Sequence, residues 1–302
     1  MPGTSAGGAR MERVELGKTG RRVSRIGLGG MPLSIQGRPE REQAKAVVHR
    51  AVRLGVTLID TADVYCLNNG EIGHNERLIR EALDGIGAEG AEVVIATKGG
   101  MTRPEGRWER NGHPRHLRAA CERSLRALEV ETIDLYQLHT PDPRIPFEDS
   151  VGEISRLHEE GKVRAVGLSN VTLDQIRSAQ EIVEITSVQN RYNPWDRASE
   201  EEGILRYCDE SRITFLPYSP VGGGRRVGLL RESDAVKAVA ARLRATPEEA
   251  VIAWILGKSP SLVPIPGATR TESIESSVRA AGVGVDEEVR EELEAAFASL
   301  PE

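Results

Sequence analysis

Val163-Arg164-Ala165-Val166-Gly167-Leu168-Ser169-Asn170-Val171-Thr172-Leu173-Asp174-Gln175-Ile176-Arg177-Ser178-Ala179-Gln180-Glu181-Ile182-Val183-Glu184-Ile185-Thr186-Ser187-Val188-Gln189-Asn190 is the stretch that decides the fold. A short apolar, β-branched-rich run (163–168) gives way to an amphipathic segment of helical period (172–183). A second apolar run (185–189) then follows. Strands that are nearly all apolar need cover on both faces, which calls for parallel strands with helices outside them. The same beat extends in both directions, with apolar runs at 26–28, 56–59, 93–97, 133–138, 163–168, 185–189, 213–218 and 262–265. Helical segments lie between or after them at 43–54, 75–83, 115–128, 147–160, 172–183, 200–208, 247–256 and 272–280. Thr246-Pro247-Glu248-Glu249 supplies an N-cap, a proline at the first helical position and early acids, and Gly161 is a stop after Glu160. Eight units without a long linker predict one closed (β/α)8 TIM barrel, an α/β fold. Two segments stand outside the beat. Residues 13–23 read as a β-hairpin closing the barrel floor, and residues 286–300 as a C-terminal helix packed outside the ring. The Gly/Ser-rich residues 1–10 read as a disordered tail, leaving 11–302 as a single domain.

Composition narrows the function. A chain of 302 residues with 39% hydrophobic and 28% charged residues is globular in character. Its net charge of −6 provides no surplus of Lys and Arg for phosphates along a duplex, so a small-molecule partner is expected and a nucleic acid is not. Three scattered cysteines, Cys66, Cys121 and Cys208, make neither a zinc spacing nor a disulfide framework and fit a reducing compartment. The apolar runs are too short for a membrane span, and the opening residues lack the apolar core of a secretory signal; the expectation is a cytoplasmic protein. No feature of the sequence fixes an oligomeric state.

In a barrel of this kind chemistry gathers where the strands end. The second apolar run ends at Asp60, the third at Lys98, the fourth at His139, the fifth at Ser169-Asn170, the sixth at Gln189 and the seventh at Tyr218-Ser219. Any one of these can simply begin a loop, but an acid, a base, an imidazole and amides on one rim form a constellation. Asp60 and Lys98, on adjacent strands, are expected to pair, because a buried charge at a strand tip is costly otherwise. Tyr65 stands on the loop above them. A cation nearby is expected to lower the phenol's pKa and make it a usable acid, while His139 orients a carbonyl oxygen.

These residues resemble an aldo-keto reductase. The resemblance spans about 14–281 and is carried most specifically by Leu58-Ile59-Asp60-Thr61-Ala62-Asp63-Val64-Tyr65, by Ala96-Thr97-Lys98 and by Ile133-Asp134-Leu135-Tyr136-Gln137-Leu138-His139. It implies reduction of an aldehyde or ketone by NADPH, with Tyr65, Lys98, Asp60 and His139 as the catalytic group. It further implies that Ser169, Asn170 and Gln189 hold the nicotinamide carboxamide and that the ring of Tyr218 stacks on the nicotinamide, with Ser219 and Pro220 beside it. Ile265-Pro266-Gly267-Ala268-Thr269-Arg270 resembles the loop that grips the adenosine phosphate. Gly267 and Thr269 belong to its cradle, and Arg270 is suited to a 2′-phosphate. Residues 167–172 and 188–193 are similar to the pyridoxal reductase branch, which makes pyridoxal one candidate substrate beside sugar-like and polyketide carbonyls. Two departures stand out. Ser276-Ser277 occupy the place of the acid-amide pair that holds adenine in many members, and the chain has no long tail after the last helix, which implies an open pocket bounded by 99–111 and 221–230. The alternative within the resemblance is a nucleotide-binding regulatory subunit that reports redox state with little turnover.

Other signals carry less. Gly27-Leu28-Gly29-Gly30-Met31-Pro32 approximates a dinucleotide fingerprint, but Pro32 stands at the third glycine and no helix follows at once, so Gly29 and Met31 are expected in a tight loop beneath the nicotinamide. Gly17-Lys18-Thr19 lacks the first glycine of a phosphate loop and reads as a hairpin turn. His113 and His116 flank Pro114 without acidic or cysteine company, so no metal is expected. Cys66 reads as an inert loop cysteine. Trp108 is either a substrate contact or a residue packed on its own loop. Gly222-Gly223-Gly224 with Arg225-Arg226 either folds over the cofactor pyrophosphate, with Gly222 as a contact, or forms a surface loop.

Overall fold

The computed structural model describes residues 11–301, so the tail expected at 1–10 lies outside the described residues. The chain opens with β1 (Arg13–Glu15) and β2 (Arg22–Ser24), an antiparallel hairpin, followed by β3 (Leu28–Gly29), α1 (Arg41–Arg53), β4 (Leu58–Asp60), α2 (His74–Asp84), the short α3 (Ala88–Ala91) and β5 (Val94–Gly99). A two-stranded flap, β6 (Met101–Thr102) and β7 (Glu109–Arg110), precedes α4 (Pro114–Leu128) and β8 (Leu135–Leu138). Then come α5 (Phe147–Glu159), β9 (Val166–Ser169), α6 (Leu173–Gln180), β10 (Ile185–Gln189), α7 (Ala198–Glu201), α8 (Ile204–Ser211) and β11 (Thr214–Phe215). Five helices complete the chain: α9 (Gly224–Glu232), α10 (Asp234–Arg242), α11 (Pro247–Lys258), α12 (Thr271–Arg279) and α13 (Glu287–Ala298).

Seven parallel strands pair in the order β11-β10-β9-β8-β5-β4-β3. The expected eighth strand closes the ring without forming a regular ladder. Val263 and Ile265 donate to the carbonyls of Phe215 and Pro217, while the carbonyls of Pro264 and Pro266 accept from Gly27 and Gly29. Two prolines at alternate positions remove the donors that would face β3, so the seam keeps only half its bonds on that side. Close approach compensates. A Cβ on Gly29 would lie 2.7 Å from the carbonyl oxygen of Ile265, so only glycine lets the two backbones meet there.

Side-chain parity divides the core. Leu58, Val94, Ala96, Leu135, Ala165, Leu216, Val263 and Ile265 fill the barrel interior, with Leu16 and Val23 of the hairpin packed against them as its floor. Ile59, Ile95, Tyr136, Leu138, Val166, Leu168, Val188 and Phe215 face outward into the larger layer between strands and helices. Since successive strand side chains alternate, Asp60, Lys98, Gln137, His139, Ser169 and Gln189 share the interior face, each an even number of residues from an inward neighbour.

The helices differ from expectation in several places. The segment expected at 200–208 is two helices, because Gly203 adopts φ 79° between α7 and α8. The expected loop at 221–230 is helical from Gly224 onward, and α10 follows directly, capped by the Ser233 side chain. Four charged residues and two glycines among the nine of α9 hid this pair from a periodicity reading. The capping boxes at Thr172–Gln175 and Thr246–Glu249 are both formed, and Pro247 sits in the first turn of α11. Among the described residues no helix is long and apolar enough to cross a membrane.

Candidate active site

Lys98 Nζ lies at the centre of the interior rim and is fully buried. It donates to the Asp60 carboxylate at 2.7 Å, to the carbonyl of Thr61 at 2.9 Å and to the phenolic oxygen of Tyr65 at 2.9 Å. An ammonium has three N–H donors, and all are used. The Tyr65 oxygen therefore serves as an acceptor toward Lys98, and its own hydrogen has no acceptor among the described residues. Asp60 is tied further, since Gln189 Nε2 donates to it at 2.7 Å and Gln137 Nε2 at 3.5 Å. His139 stands beside the phenol with ring centroids 5.7 Å apart at 85°. Its Nδ1 is buried without a hydrogen-bond partner. A bare acceptor nitrogen is tolerated more readily than an orphaned N–H, which favours the tautomer carrying its proton on Nε2.

The turn that presents Tyr65 is built from backbone bonds. The N–H of Thr61 donates to the carbonyl of Ala96 and that of Asp63 to the carbonyl of Lys98, continuing the β4–β5 ladder past the strand end. Thr61 Oγ1 donates to Asn75 Oδ1 at 2.6 Å, and Asn75 Nδ2 donates to the carbonyl of Gly30 and to Ser34 Oγ. One buried asparagine of α2 thus locks the tyrosine loop to the loop containing Gly29 and Met31.

Burial dominates the electrostatics. The Tyr65 phenol is held well above its ordinary pKa, first by burial and then by the Asp60 carboxylate and by Tyr218. This corrects the expectation of a phenol acidified by Lys98. Asp60 lies 2.7 Å from the ammonium, so the pair presents little net charge to the phenol, and desolvation of the phenolate prevails. Lys98 itself is lowered by burial, against the upward pull of Asp60. His139 falls well below its ordinary value through burial and then the Lys98 charge, so it is a neutral imidazole at pH 7. Cys66 is pushed up to about 11 by burial, as an inert thiol would be.

The remaining expected contacts have these local partners. Asn170, at φ 58°, donates to the carbonyl of His139 at 2.9 Å and to Ser169 Oγ at 3.1 Å, and accepts from the Tyr218 hydroxyl at 2.8 Å. Ser219 is left-handed at φ 50° and leads through Pro220 to Gly222, whose N–H donates to the Ser219 carbonyl. Gly222 packs against Trp195, and Arg226 pairs with Asp196. Gly267 meets Gly29 at the seam, and the carbonyl of Thr269 accepts from Gln43. Arg270 is exposed at the N-cap of α12, whose first turn has no side-chain cap. Ser276 and Ser277 are occupied, donating to Glu249 and to the carbonyl of Ser273. Trp108, 43% exposed, reaches the centre, with its ring 6.3 Å from that of Tyr65 and 6.5 Å from that of His139. His113 caps α4 and His116 bonds the carbonyl of Met101, and no group of potential metal ligands occurs among the described residues. At the opposite end a cavity of about 330 Å³ lies under the hairpin, where Arg21 and Arg164 both face Asp134; it contains none of these groups.

A model of the Aldo/keto reductase family matches residues 25–297. The chain belongs to the aldo/keto reductase family. This aldo/keto reductase is 35% identical to "Uncharacterized oxidoreductase C215.11c" of Schizosaccharomyces pombe over 90% of its own length and 86% of that protein. It is 36% identical to "Probable aldo-keto reductase 1" of Glycine max, over 95% and 89% of the two chains. Its fold matches the thermostable aldo-keto reductase Tm1743, crystallised with the inhibitor epalrestat, at a TM-score of 0.80 and 29% identity, covering 95% of this chain and 100% of that one. An aldo-keto reductase of Klebsiella pneumoniae in complex with NADPH matches at 0.77 and 25% identity, over 95% of both chains. The protein is a (β/α)8 barrel oxidoreductase of carbonyl groups that works with a nicotinamide cofactor.

Sequence reasoning missed Gln137, which shares Asp60 with Gln189, although its place between Leu135 and His139 puts it inside the barrel by parity alone. It also missed Arg103, because nothing in a loop sequence tells a buried arginine from a solvated one.

Proposed function

We propose that this protein reduces an aldehyde or ketone to an alcohol, with NADPH as the reductant and Tyr65 as the proton donor. The observation that carries this is the Lys98 ammonium spending its last N–H on the phenolic oxygen of Tyr65, which turns the phenol's own hydrogen away from the lysine. The residues present fit a nicotinamide dinucleotide. Ser169, Asn170 and the side-chain amide oxygen of Gln189 offer partners for a carboxamide, Tyr218 offers a ring to lie against, and Arg270 at a helix N-terminus suits a 2′-phosphate. We assign the remaining cofactor contacts to Gly29, Met31, Ser219, Pro220, Gly222, Gly267 and Thr269. When bound, the reduced nicotinamide supplies a hydride to the carbonyl carbon.

This chain's residues handle the oxygen. His139, neutral, donates from Nε2 and orients the carbonyl. Tyr65 retains its proton through the working pH range, because burial holds its pKa high, and gives it up only as negative charge builds on the substrate oxygen. Lys98 then stabilises the phenolate by a charge-assisted hydrogen bond, and Asp60, with Gln189 and Gln137, keeps Lys98 in place. Trp108 borders the substrate. Pyridoxal and sugar-like carbonyls are the substrates we favour. The test is a panel of carbonyl compounds followed by nicotinamide absorbance with NADPH and with NADH. Oxidation of NADPH in preference to NADH by some member of the panel is expected; tight cofactor retention with negligible turnover throughout would point instead to a regulatory, nucleotide-sensing subunit.

A further inference from the structure

Arg103 is a buried cation that carbonyl reduction does not use. It is 4% exposed. Its Nε and Nη2 both donate to the carbonyl of Cys66, at 3.2 and 3.1 Å, one residue past Tyr65. Its backbone is held as well, with its N–H donating to Asn69 Oδ1 at 2.7 Å and its carbonyl accepting from Asn69 N at 2.9 Å. The guanidinium carbon then lies 3.8 Å from the centroid of the Trp108 ring, while Nη1 is buried with no hydrogen-bond partner. A buried guanidinium N–H without an acceptor is costly, and the negative face of the indole offsets part of that cost.

Trp108 is otherwise an exposed indole on a flap loop, free to change rotamer on a fast timescale. With one face covered by Arg103, it stands at 79° to Tyr65 and 67° to His139, and those two rings meet at 85°. The three rings pack mutually edge-to-face, as three walls of a corner. We infer that Arg103 is a positioning residue that pins Trp108 to the tyrosine loop, and that the pinned indole selects flat, aromatic carbonyl compounds over saturated ones of equal size. Ring-on-ring contact adds to plain area burial only when both surfaces are aromatic and the wall is fixed. Arginine suits the post because a planar fork can chelate one carbonyl and stack on indole at once, which an ammonium cannot.

The selectivity rests on the reductase reading above, but the pin does not, and the experiment separates them. Benzaldehyde and cyclohexanecarbaldehyde are compared by kcat/KM with NADPH in wild type, Arg103→Met, Arg103→Lys, Asn69→Ala and Trp108→Phe. The ratio between variants cancels the intrinsic reactivity of the two aldehydes. Arg103→Met is expected to lower the aromatic preference about threefold to tenfold, through KM, with kcat for acetaldehyde and NADPH affinity unchanged. Arg103→Lys should fail to restore it, Trp108→Phe should keep most of it, and the mild Asn69→Ala should shift it the same way by less, which keeps the test alive if Arg103→Met folds poorly. Without any substrate, acrylamide quenching of Trp108 emission, taken as wild type minus Trp108→Phe, should increase in Arg103→Met and Asn69→Ala. An unchanged aromatic ratio, or unchanged quenching, in both variants overturns the inference. If no aldehyde is turned over by any of these proteins, the reductase reading fails while the quenching still decides the pin.

Discussion

At the scale of single residues the site is governed by where each proton is cheapest to keep. Asp63, two residues before Tyr65, is fully buried and neither carboxyl oxygen has a hydrogen-bond partner. Arg123 approaches it only to 3.6 Å, and its pKa rises well above the ordinary value through burial and then the neighbouring Glu76, itself raised by burial. For a carboxyl whose folded pKa exceeds its unfolded value near ~3.8, the stabilising contribution is complete below the unfolded pKa and fades as pH climbs through the folded one. Asp63→Asn removes that titration. Its melting temperature relative to wild type should therefore be more favourable at pH 8.5 than at pH 5, as thermal unfolding at both values would reveal; an equal difference at the two would contradict a protonated Asp63. None of this could be read from sequence, where Asp63 was one acid among forty-six acidic residues and only the fold shows that it is fully buried.

Single elements were legible to the extent that local rules governed them. The N-cap at Thr246 and the proline opening α11 are formed as the residues dictate, because a cap needs only its own first turn. The strand ends were legible for a different reason. Asp60, Lys98, His139, Ser169 and Gln189 interrupt apolar runs, and the interruption coincides with the last inward position of each strand. What escaped were elements set by tertiary packing, namely α9 and α10, and the loop conformation of Arg103. At this scale Thr246→Ala should lower stability by about 1 kcal/mol through the lost N-cap, without altering turnover, since α11 lies outside the barrel. Chemical denaturation paired with an activity assay would expose any departure, and a fall in turnover at full occupancy of the folded state would contradict this separation of cap from site.

For the whole molecule, the barrel's seam and its chemistry are neighbours. The strand that closes the ring has proline at positions 264 and 266, and it leads straight into Gly267, Thr269 and Arg270. Gly29 is what permits closure. Gly29→Ala pushes a methyl group against the Ile265 carbonyl, and overpacking of this kind costs about 1–3 kcal/mol. Unfolding should shift accordingly, and NADPH affinity should weaken, because the seam and the phosphate loop must move together; fluorescence titration of the folded variant with unaltered affinity would argue that they do not. The eight-fold beat announced the ring, while the half-bonded seam, a consequence of proline chemistry between two distant segments, had to be seen. The most direct test of the whole account replaces one hydroxyl. Tyr65→Phe should bind NADPH as wild type does, by titration of nicotinamide fluorescence, yet lose carbonyl reduction by several orders of magnitude. Substantial surviving turnover in that variant, with the cofactor bound, would contradict it.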